Sequence, residues 1–314
     1  MKKIFIIISL LFCFSFFAHA QDKTSGAERI VITAYIPQPI EGMPEIAVSN
    51  LENKLSQIIT ANGFSGDYNQ RFILTANISV LTKDITASAP PMHAYTLEVT
   101  FYIGDGVSGV LFASTSTTVK GAGETETKAY INALKNIQTT SPKYQSFIEN
   151  GKNKIIDYYK TNCDFIIKEA TVLASTNNFE AAIAQLISIP TASEACYYKA
   201  MDAVIAVYQK YIDKDCQIKL QQANAIWNAS QDYESALQAG AVLASIDPDA
   251  SCFQDIKQLF NKIEKSIIQR DDREWKYILK EQMQESERIE AIRAIGVAYG
   301  TNQPNVVYNI RSWW

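Results

Sequence analysis

The stretch Asn178-Phe179-Glu180-Ala181-Ala182-Ile183, which follows Cys163, occurs a second time as Asp232-Tyr233-Glu234-Ser235-Ala236-Leu237, which follows Cys216. Counted between those two cysteines, the copies are 53 residues apart. In each copy one helical pattern precedes the stretch and another begins within it. A repeated helix pair predicts an array of stacked helices that share a continuous core.

Each copy also reaches a second cysteine, Cys196 in the first and Cys252 in the second. Equivalent positions should pair equivalently, so the repeat predicts the disulfides Cys163–Cys196 and Cys216–Cys252. A bond between Cys196 and Cys216 would have to span a predicted helix of about 18 residues, or ~27 Å of rise. Four buried, unpaired thiols are the alternative interpretation.

The first twenty residues have the pattern of a secretory signal peptide. Two lysines open the chain, an apolar run covers 4–17, and Ala18-His19-Ala20 is a small-residue cleavage site. The prediction is an exported protein, periplasmic, outer-membrane-associated or at the cell surface, cleaved after Ala20. A lipid anchor at Cys13 is the alternative, although Phe12 precedes this cysteine where a lipobox requires a small residue.

The charge of the chain is acidic. The formal net charge is −4, and loss of the two signal-peptide lysines takes it to −6. Nucleic-acid binding requires clustered Lys and Arg, so no nucleic-acid partner is expected. No second apolar run approaches the ~20 residues of a membrane span, so no integral span is expected after cleavage. The sequence does not fix the oligomeric state.

Residues 27–140 are predicted to form an α+β domain. The element order β-α-β-β-β-α indicates an antiparallel sheet with helices on one face. Apolar residues from Phe72 to Val80 alternate with the period of a half-buried strand. Gly63 is expected to cap the first helix, and Gly121 and Gly123 to end the last strand. The predicted strands are 29–36, 71–86, 94–103 and 110–119, and the predicted helices are 45–61 and 125–137.

Residues 143–298 are predicted to be helical and 299–314 to be an aromatic tail. Tyr308, Trp313 and Trp314 occur in this tail, and we expect it to fold back onto the helices, near Trp275 and Tyr277. A partner-docking peptide is the alternative. The predicted helices are 143–161, 164–175, 179–189, 195–212, 217–228, 233–246, 251–269 and 271–295.

The stretch 168–190 resembles a tetratricopeptide-type repeat. Ala170 lies at the small position of the first helix and Pro190 at the closing position, and the later copy has Ala223 and Pro248 there. The period is longer than the ~34 residues usual for the family. The resemblance implies helix pairs that stack into a curved surface for a protein or peptide partner.

The N-terminal region resembles the small α/β domains of bacterial envelope proteins in the TolB N-terminal, LPP20 and CsgG-type families. The resemblance rests on the element order and on Gly121-Ala122-Gly123 leading into Ala129 and Ala133-Leu134. It implies location in the cell envelope and carries no catalytic motif.

Exposed first-helix positions of the array are the candidate partner-binding residues. Trp227 occupies the position that Ala174 has in the first copy, so it is either a core filler or a binding aromatic. The candidates are Lys168, Gln221, Asn224 and Trp227, together with Trp313 and Trp314 of the tail.

No catalytic constellation is visible. His93 is the one histidine left after signal cleavage, so a two-histidine zinc site is excluded. A Ser-His-Asp or Cys-His hydrolase would need His93 as its base, but this residue lies in a predicted loop and no serine lies in a nucleophile-elbow sequence. Gly104-Asp105-Gly106-Val107-Ser108-Gly109 matches the dinucleotide pattern G-x-G-x-x-G, but a strand follows it, so a hairpin is predicted. We expect no cofactor, no metal and no enzymatic activity.

These observations predict an exported envelope or cell-surface scaffold that binds a protein or peptide through its helical repeats. One alternative is a structural, oligomerising subunit of an outer-membrane-associated assembly that pairs through an exposed edge strand at 29–36. Another is an enzyme of unknown type.

Overall fold

The computed structural model describes residues 30–37, 43–62, 71–270, 273–275, 277, 279, 283–302 and 308–314. The predicted signal peptide and Gly63 lie outside these ranges. The strands are β1 (Thr33–Ala34), β2 (Phe72–Ile85), β3 (His93–Asp105) and β4 (Val110–Gly123). The helices are α1 (Glu45–Ala61), α2 (Glu126–Lys135), α3 (Pro142–Ser175), α4 (Phe179–Ile187), α5 (Glu194–Ser230), α6 (Tyr233–Ala244), α7 (Phe253–Arg270) and α8 (Glu285–Asn302), followed by a 3-10 turn at Arg311–Trp313.

The sheet has the strand order β1-β2-β3-β4. Strand β1 pairs in parallel with β2, and the other two pairings are antiparallel. The predicted α+β class and the order β-α-β-β-β-α are therefore confirmed. Strand β1 is much shorter than the predicted 29–36, because only Thr33 and Ala34 pair with β2.

The buried face of β2 is shorter than the alternation predicts. Phe72, Leu74, Ala76 and Ile78 are buried as expected, but Val80 is 44% exposed. A β-bulge between Val80 and Thr82 shifts the register there and alters which face each later side chain occupies. From Ser79 onward every residue of the strand is exposed.

Strand β4 runs through Gly121 and ends at Gly123, so the prediction that Gly121 ends the strand was wrong. Helix α2 crosses the sheet at this point, and a Cβ on Gly121 would overlap the backbone of Ala129 and Ala133. The glycine therefore permits close packing of helix on sheet. The Thr125 hydroxyl accepts a hydrogen bond from the Lys128 amide and caps the start of α2.

Two predicted helix breaks are absent. Helix α3 is continuous over 34 residues and α5 over 37, although breaks were expected near Cys163 and Cys216. Neither junction contains proline or glycine, and the polar residues there fit an exposed helix face. Asp215, for example, pairs with Lys219 one turn later at 2.8 Å.

Helix α3 joins the sheet to the array. Its first half packs on β3 and β4, where Phe101 and Tyr144 have ring centroids 5.2 Å apart. Its second half buries Cys163, Ile166 and Ala170 in the same hydrophobic cluster as the repeats. The predicted boundary between the two domains, between residues 140 and 143, thus falls where α3 begins. This helix packs on the sheet with its first half and on the array with its second half.

The helix predicted at 271–295 was wrong in its first half. The described residues between Arg270 and Glu285 are not helical, and α8 begins at Glu285. Trp275 lies in this segment and is buried, with its ring 5.7 Å from Phe260 and 5.2 Å from Tyr277. Burial of these aromatic rings against the array is a tertiary interaction that local periodicity does not encode.

Candidate partner-binding surfaces

Two disulfides connect the helical units, with the pairing that the repeat predicts. Cys163 of α3 bonds to Cys196 of α5, with 5.5 Å between their Cα atoms. Cys216, further along α5, bonds to Cys252 just before α7, with a Cα separation of 6.2 Å. Both separations lie in the range of ordinary disulfides. Helix α5 therefore carries one cysteine from each bond and links the two copies.

Removal of a disulfide should destabilise the array. We expect the double variant Cys216→Ser/Cys252→Ser to lose about 3 kcal/mol of unfolding free energy, because the bond closes a loop of 36 residues in the unfolded chain. Urea unfolding of the variant and the parent, both without reductant, measures this difference. A loss below about 0.5 kcal/mol would contradict a stabilising role for the bond.

The predicted first-helix residues do not all reach the surface. Lys168 and Gln221 are exposed on α3 and α5, and Asn224 is partly exposed, with its Nδ2 donating to the Leu220 carbonyl at 2.8 Å. Trp227 is 1% exposed. The structure therefore corrects the assignment of Trp227 as a possible contact residue: it fills the core, as the smaller Ala174 does at the equivalent position of the first copy.

Exposed apolar side chains occupy the first helix of the array. Phe165 is 63% exposed, and Val172 is exposed two turns later on the same face of α3. Lys168 lies between them, in a shallow groove whose lining also includes Asp164 and Ile167. The groove therefore combines apolar contact area with a cation and a carboxylate.

The second copy exposes an apolar side chain at the equivalent position. Ile218, 53 residues after Phe165, is 53% exposed on α5. Sequence reasoning proposed the polar positions Lys168 and Gln221 and missed these two. Alignment of the two copies could have identified them. Each copy has an apolar residue two positions after its first cysteine, which interrupts the polar pattern expected of a solvent-exposed helix face.

Helix α5 exposes a second apolar pair near the first disulfide. Tyr198 and Ile205 are two turns apart on one face of this helix and are both exposed. The neighbouring Lys199 forms an ion pair with Asp164 of α3 at 3.1 Å. Both charged side chains are largely exposed, so the pair adds little stability and is available to a charged partner.

The described C-terminal residues 308–314 pack on the sheet. Trp313 is buried beside Ile73 and Tyr102 on the face of the sheet away from the main core, whereas Trp314 remains 47% exposed. The tail was predicted to bury its tryptophans on the helices near Trp275 and Tyr277; Trp313 is instead buried on the sheet. The Trp275 ring packs against the rings of Phe260 and Tyr277.

The tail contacts the predicted β3–β4 hairpin, which the structure confirms. The Asn309 amide donates to the Gly106 carbonyl at 2.7 Å, and Trp313 Nε1 donates to the Gly109 carbonyl at 2.8 Å. The ring of Tyr308 lies 4.3 Å from that of Tyr35. Burial, with a further contribution from Tyr35, raises the pKa of Tyr308 to about 12.

A buried ion pair lies at the base of the same hairpin. The Asp105 carboxylate is fully buried and accepts hydrogen bonds from Arg71 Nε at 2.6 Å and from the Val107 and Ser108 amides at 3.0 Å. Arg71 Nη1 donates to Ser188 Oγ at 2.8 Å, just after α4. The pair therefore fixes the hairpin turn and connects the sheet to the array.

His93 is not the exposed loop residue that the sequence suggests. It is the first residue of β3, paired with Ile85 and Gly123, and it is partly buried. Across residues 30–37, 43–62, 71–270 and the shorter described segments, no group of three or more His, Cys, Asp or Glu side chains is arranged to hold a metal ion. In the same segments, no helix has the combined length and apolar character that a membrane crossing requires.

Comparison with known proteins places this chain in no family. No protein-family model and no curated protein matches it. A crystal structure of a minor lipoprotein from Acinetobacter baumannii is 19% identical over 39% of this chain and 93% of its own, with a TM-score of 0.25. A lipoprotein structure from Caulobacter crescentus CB15 is 13% identical over 40% of this chain and 83% of its own, with a TM-score of 0.22. Superpositions with such scores support no structural or functional assignment.

Proposed function

We propose that this protein is an exported, non-enzymatic scaffold of the cell envelope or cell surface that binds a partner protein on the first helices of its repeats. The observation that carries the proposal is the exposure of Phe165 and Ile218 at the same position of the two copies. Single exposed apolar residues are ordinary on protein surfaces. An exposed apolar residue at the equivalent position of both copies favours a surface that contacts one extended partner at two successive repeats.

The chemistry of this surface suits a partner with apolar side chains and mixed charges. Phe165 and Val172 offer contact area along α3, and Tyr198 and Ile205 offer it along α5. Burying a side chain of this size contributes about 1.5–3 kcal/mol, so a few such contacts are enough for a specific complex. Lys168 and the exposed Asp164–Lys199 pair would set the orientation and the specificity of the partner.

Two features support export. The first twenty residues have the sequence pattern of a cleaved signal peptide. The two disulfides suit a compartment that is oxidising, such as the periplasm or the cell surface. We also propose that the repeats are tetratricopeptide-like. Each copy pairs a long helix with a short one, and this arrangement is compatible with such a repeat.

Site-specific photo-crosslinking in the native envelope tests the proposed surface. A photoreactive amino acid is placed at position 165, at position 218 or at the control position Ile46, which is exposed and apolar but lies on α1. We expect the same partner protein in adducts at 165 and 218 and no such adduct at 46. Different adducts at 165 and 218, or the same adduct at all three positions, would contradict a repeat-based surface.

The structural-subunit alternative has one observation in its favour. The predicted edge strand at 29–36 contributes only two residues to the pairing with β2. From Ser79 to Ile85, β2 pairs with β3 on one side but has no described pairing partner on the other side, where Leu81 is exposed. The bulge between Val80 and Thr82 weakens this edge as a template. Oligomers in sedimentation analysis of the wild type, abolished in Leu81→Pro, would favour the subunit; a wild-type monomer would exclude it.

A further inference from the structure

The tail forms a hydrophobic cluster of its own. Ile310 and Trp313 are buried against Ile73 and Tyr102 on the outer face of the sheet, and Tyr35 and Tyr308 pack at its margin. The main core of the protein does not include these residues. Tail docking is therefore a contact of its own between residues 308–314 and the sheet, and it can be treated as a binding event.

The surface recognises both the main chain and one side chain of the tail. The Gly106 carbonyl accepts the Asn309 amide, a contact that any residue but proline at that position provides. The Gly109 carbonyl accepts the indole N–H of Trp313, a bond that phenylalanine or leucine does not form. The second bond therefore selects tryptophan among the large apolar residues.

The glycines of the hairpin shape the surface to the tail. A Cβ on Gly106 would overlap the ring of Tyr308, and one on Gly104 would overlap both the indole of Trp313 and the Val110 carbonyl of the hairpin itself. Among the described glycines, Gly109 is the one with positive φ, at 77°. The backbone conformation at Gly106 therefore allows other residues. Glycine is required there because the tail approaches so closely that a side chain would not fit. The turn geometry and the close approach of the tail together explain the Gly104-x-Gly106-x-x-Gly109 pattern without a nucleotide.

We propose that the outer face of the sheet at the β3–β4 hairpin is a peptide-binding site for a short aromatic peptide, and that the chain's own Tyr308–Trp314 segment is its ligand. Recognition is non-covalent and combines the two carbonyl acceptors of the turn with the apolar floor at Ile73 and Tyr102. The site is distinct from the repeat surface at Phe165 and Ile218.

A cleavable tether tests this site in the full chain. A protease recognition sequence is inserted between Asn302 and Tyr308, the purified protein is cut after folding, and a fluorescent synthetic peptide with the sequence of residues 308–314 is added. We expect the cut protein to bind the peptide 1:1 and saturably, and the uncut protein to bind it at least tenfold more weakly because its own tail occupies the site. A peptide with Trp313→Phe should bind about 2- to 12-fold more weakly, the loss expected for one hydrogen bond.

The control for this experiment is Gly106→Val, carried in the same cleavable chain. Its cut form should fail to bind the peptide while keeping the far-ultraviolet circular dichroism of the parent. Val107→Ala, at an exposed neighbouring position, should bind normally. The proposal is overturned if the cut parent stays folded but binds no peptide at 1 mM. It is also overturned if Gly106→Val binds the peptide as well as the parent, or if the uncut protein binds it as well as the cut one.

Discussion

Replacement of Trp227 by alanine should lower the free energy of unfolding by about 3–5 kcal/mol, the largest effect expected from a single substitution in this chain. Trp227 is the largest of the fully buried side chains. It lies near the end of α5, and α5 packs along α6. Alanine would leave a cavity the size of an indole, which a closely packed interior does not close. Urea unfolding followed by far-ultraviolet circular dichroism measures the change.

Trp314→Ala is the matched control, because it removes the same side chain from a site that is 47% exposed. We expect a loss below about 1 kcal/mol for this variant. The comparison also separates the two interpretations of Trp227. A binding aromatic would leave the stability of the isolated protein nearly unchanged when removed, so a near-neutral Trp227→Ala would contradict its position in the core.

Replacement of Arg71 by methionine should cost about 3 kcal/mol of stability. The substitution leaves the Asp105 carboxylate buried with its two backbone N–H donors but without a countercharge, and an uncompensated buried charge is strongly destabilising. Burial by itself would lower the pKa of Arg71, but the neighbouring Tyr159 and Asp105 raise it, so the native side chain stays charged. Urea unfolding at neutral pH measures the loss.

Two further variants check the cause of this loss. Lys83→Met breaks an ion pair of similar geometry with Glu126, at 2.8 Å, in which both side chains are about half exposed. We expect little change in stability there, because solvent screens an exposed ion pair. Arg71→Met/Asp105→Asn should recover part of the loss, because a neutral amide is less costly to bury and its oxygen still accepts the turn amides. A double variant no more stable than Arg71→Met would contradict the charge explanation.

The sequence predicted the features that local patterns determine. The helix at 45–61 was exact, and the strand that contains Phe72 and Leu74 was found within one residue at each end, because each begins with a clear apolar period. The disulfides followed from the repeat, because equivalent cysteines in two copies have equivalent neighbours.

The sequence did not predict features that depend on contacts between distant residues. Trp313 bonds to Gly109, 204 positions away, and neither residue carries a local signal for the other. The burial of Trp275 against Phe260 could not be predicted for the same reason. The segment that contains Trp275 was predicted to be helical and is not. Exposure at Phe165 was missed because an apolar residue on an amphipathic helix is normally assigned to the core.

The affinity of the captured partner for surface variants tests the central claim, that the repeated first-helix surface is a binding site. The partner identified by crosslinking is titrated against wild type, Phe165→Asp, Ile218→Asp and Ile46→Asp, each checked for native stability. The proposal predicts at least tenfold weaker binding for Phe165→Asp and for Ile218→Asp, and unchanged binding for Ile46→Asp, since a charge on the apolar contact is desolvated in the complex. Wild-type affinity in both Phe165→Asp and Ile218→Asp would contradict it.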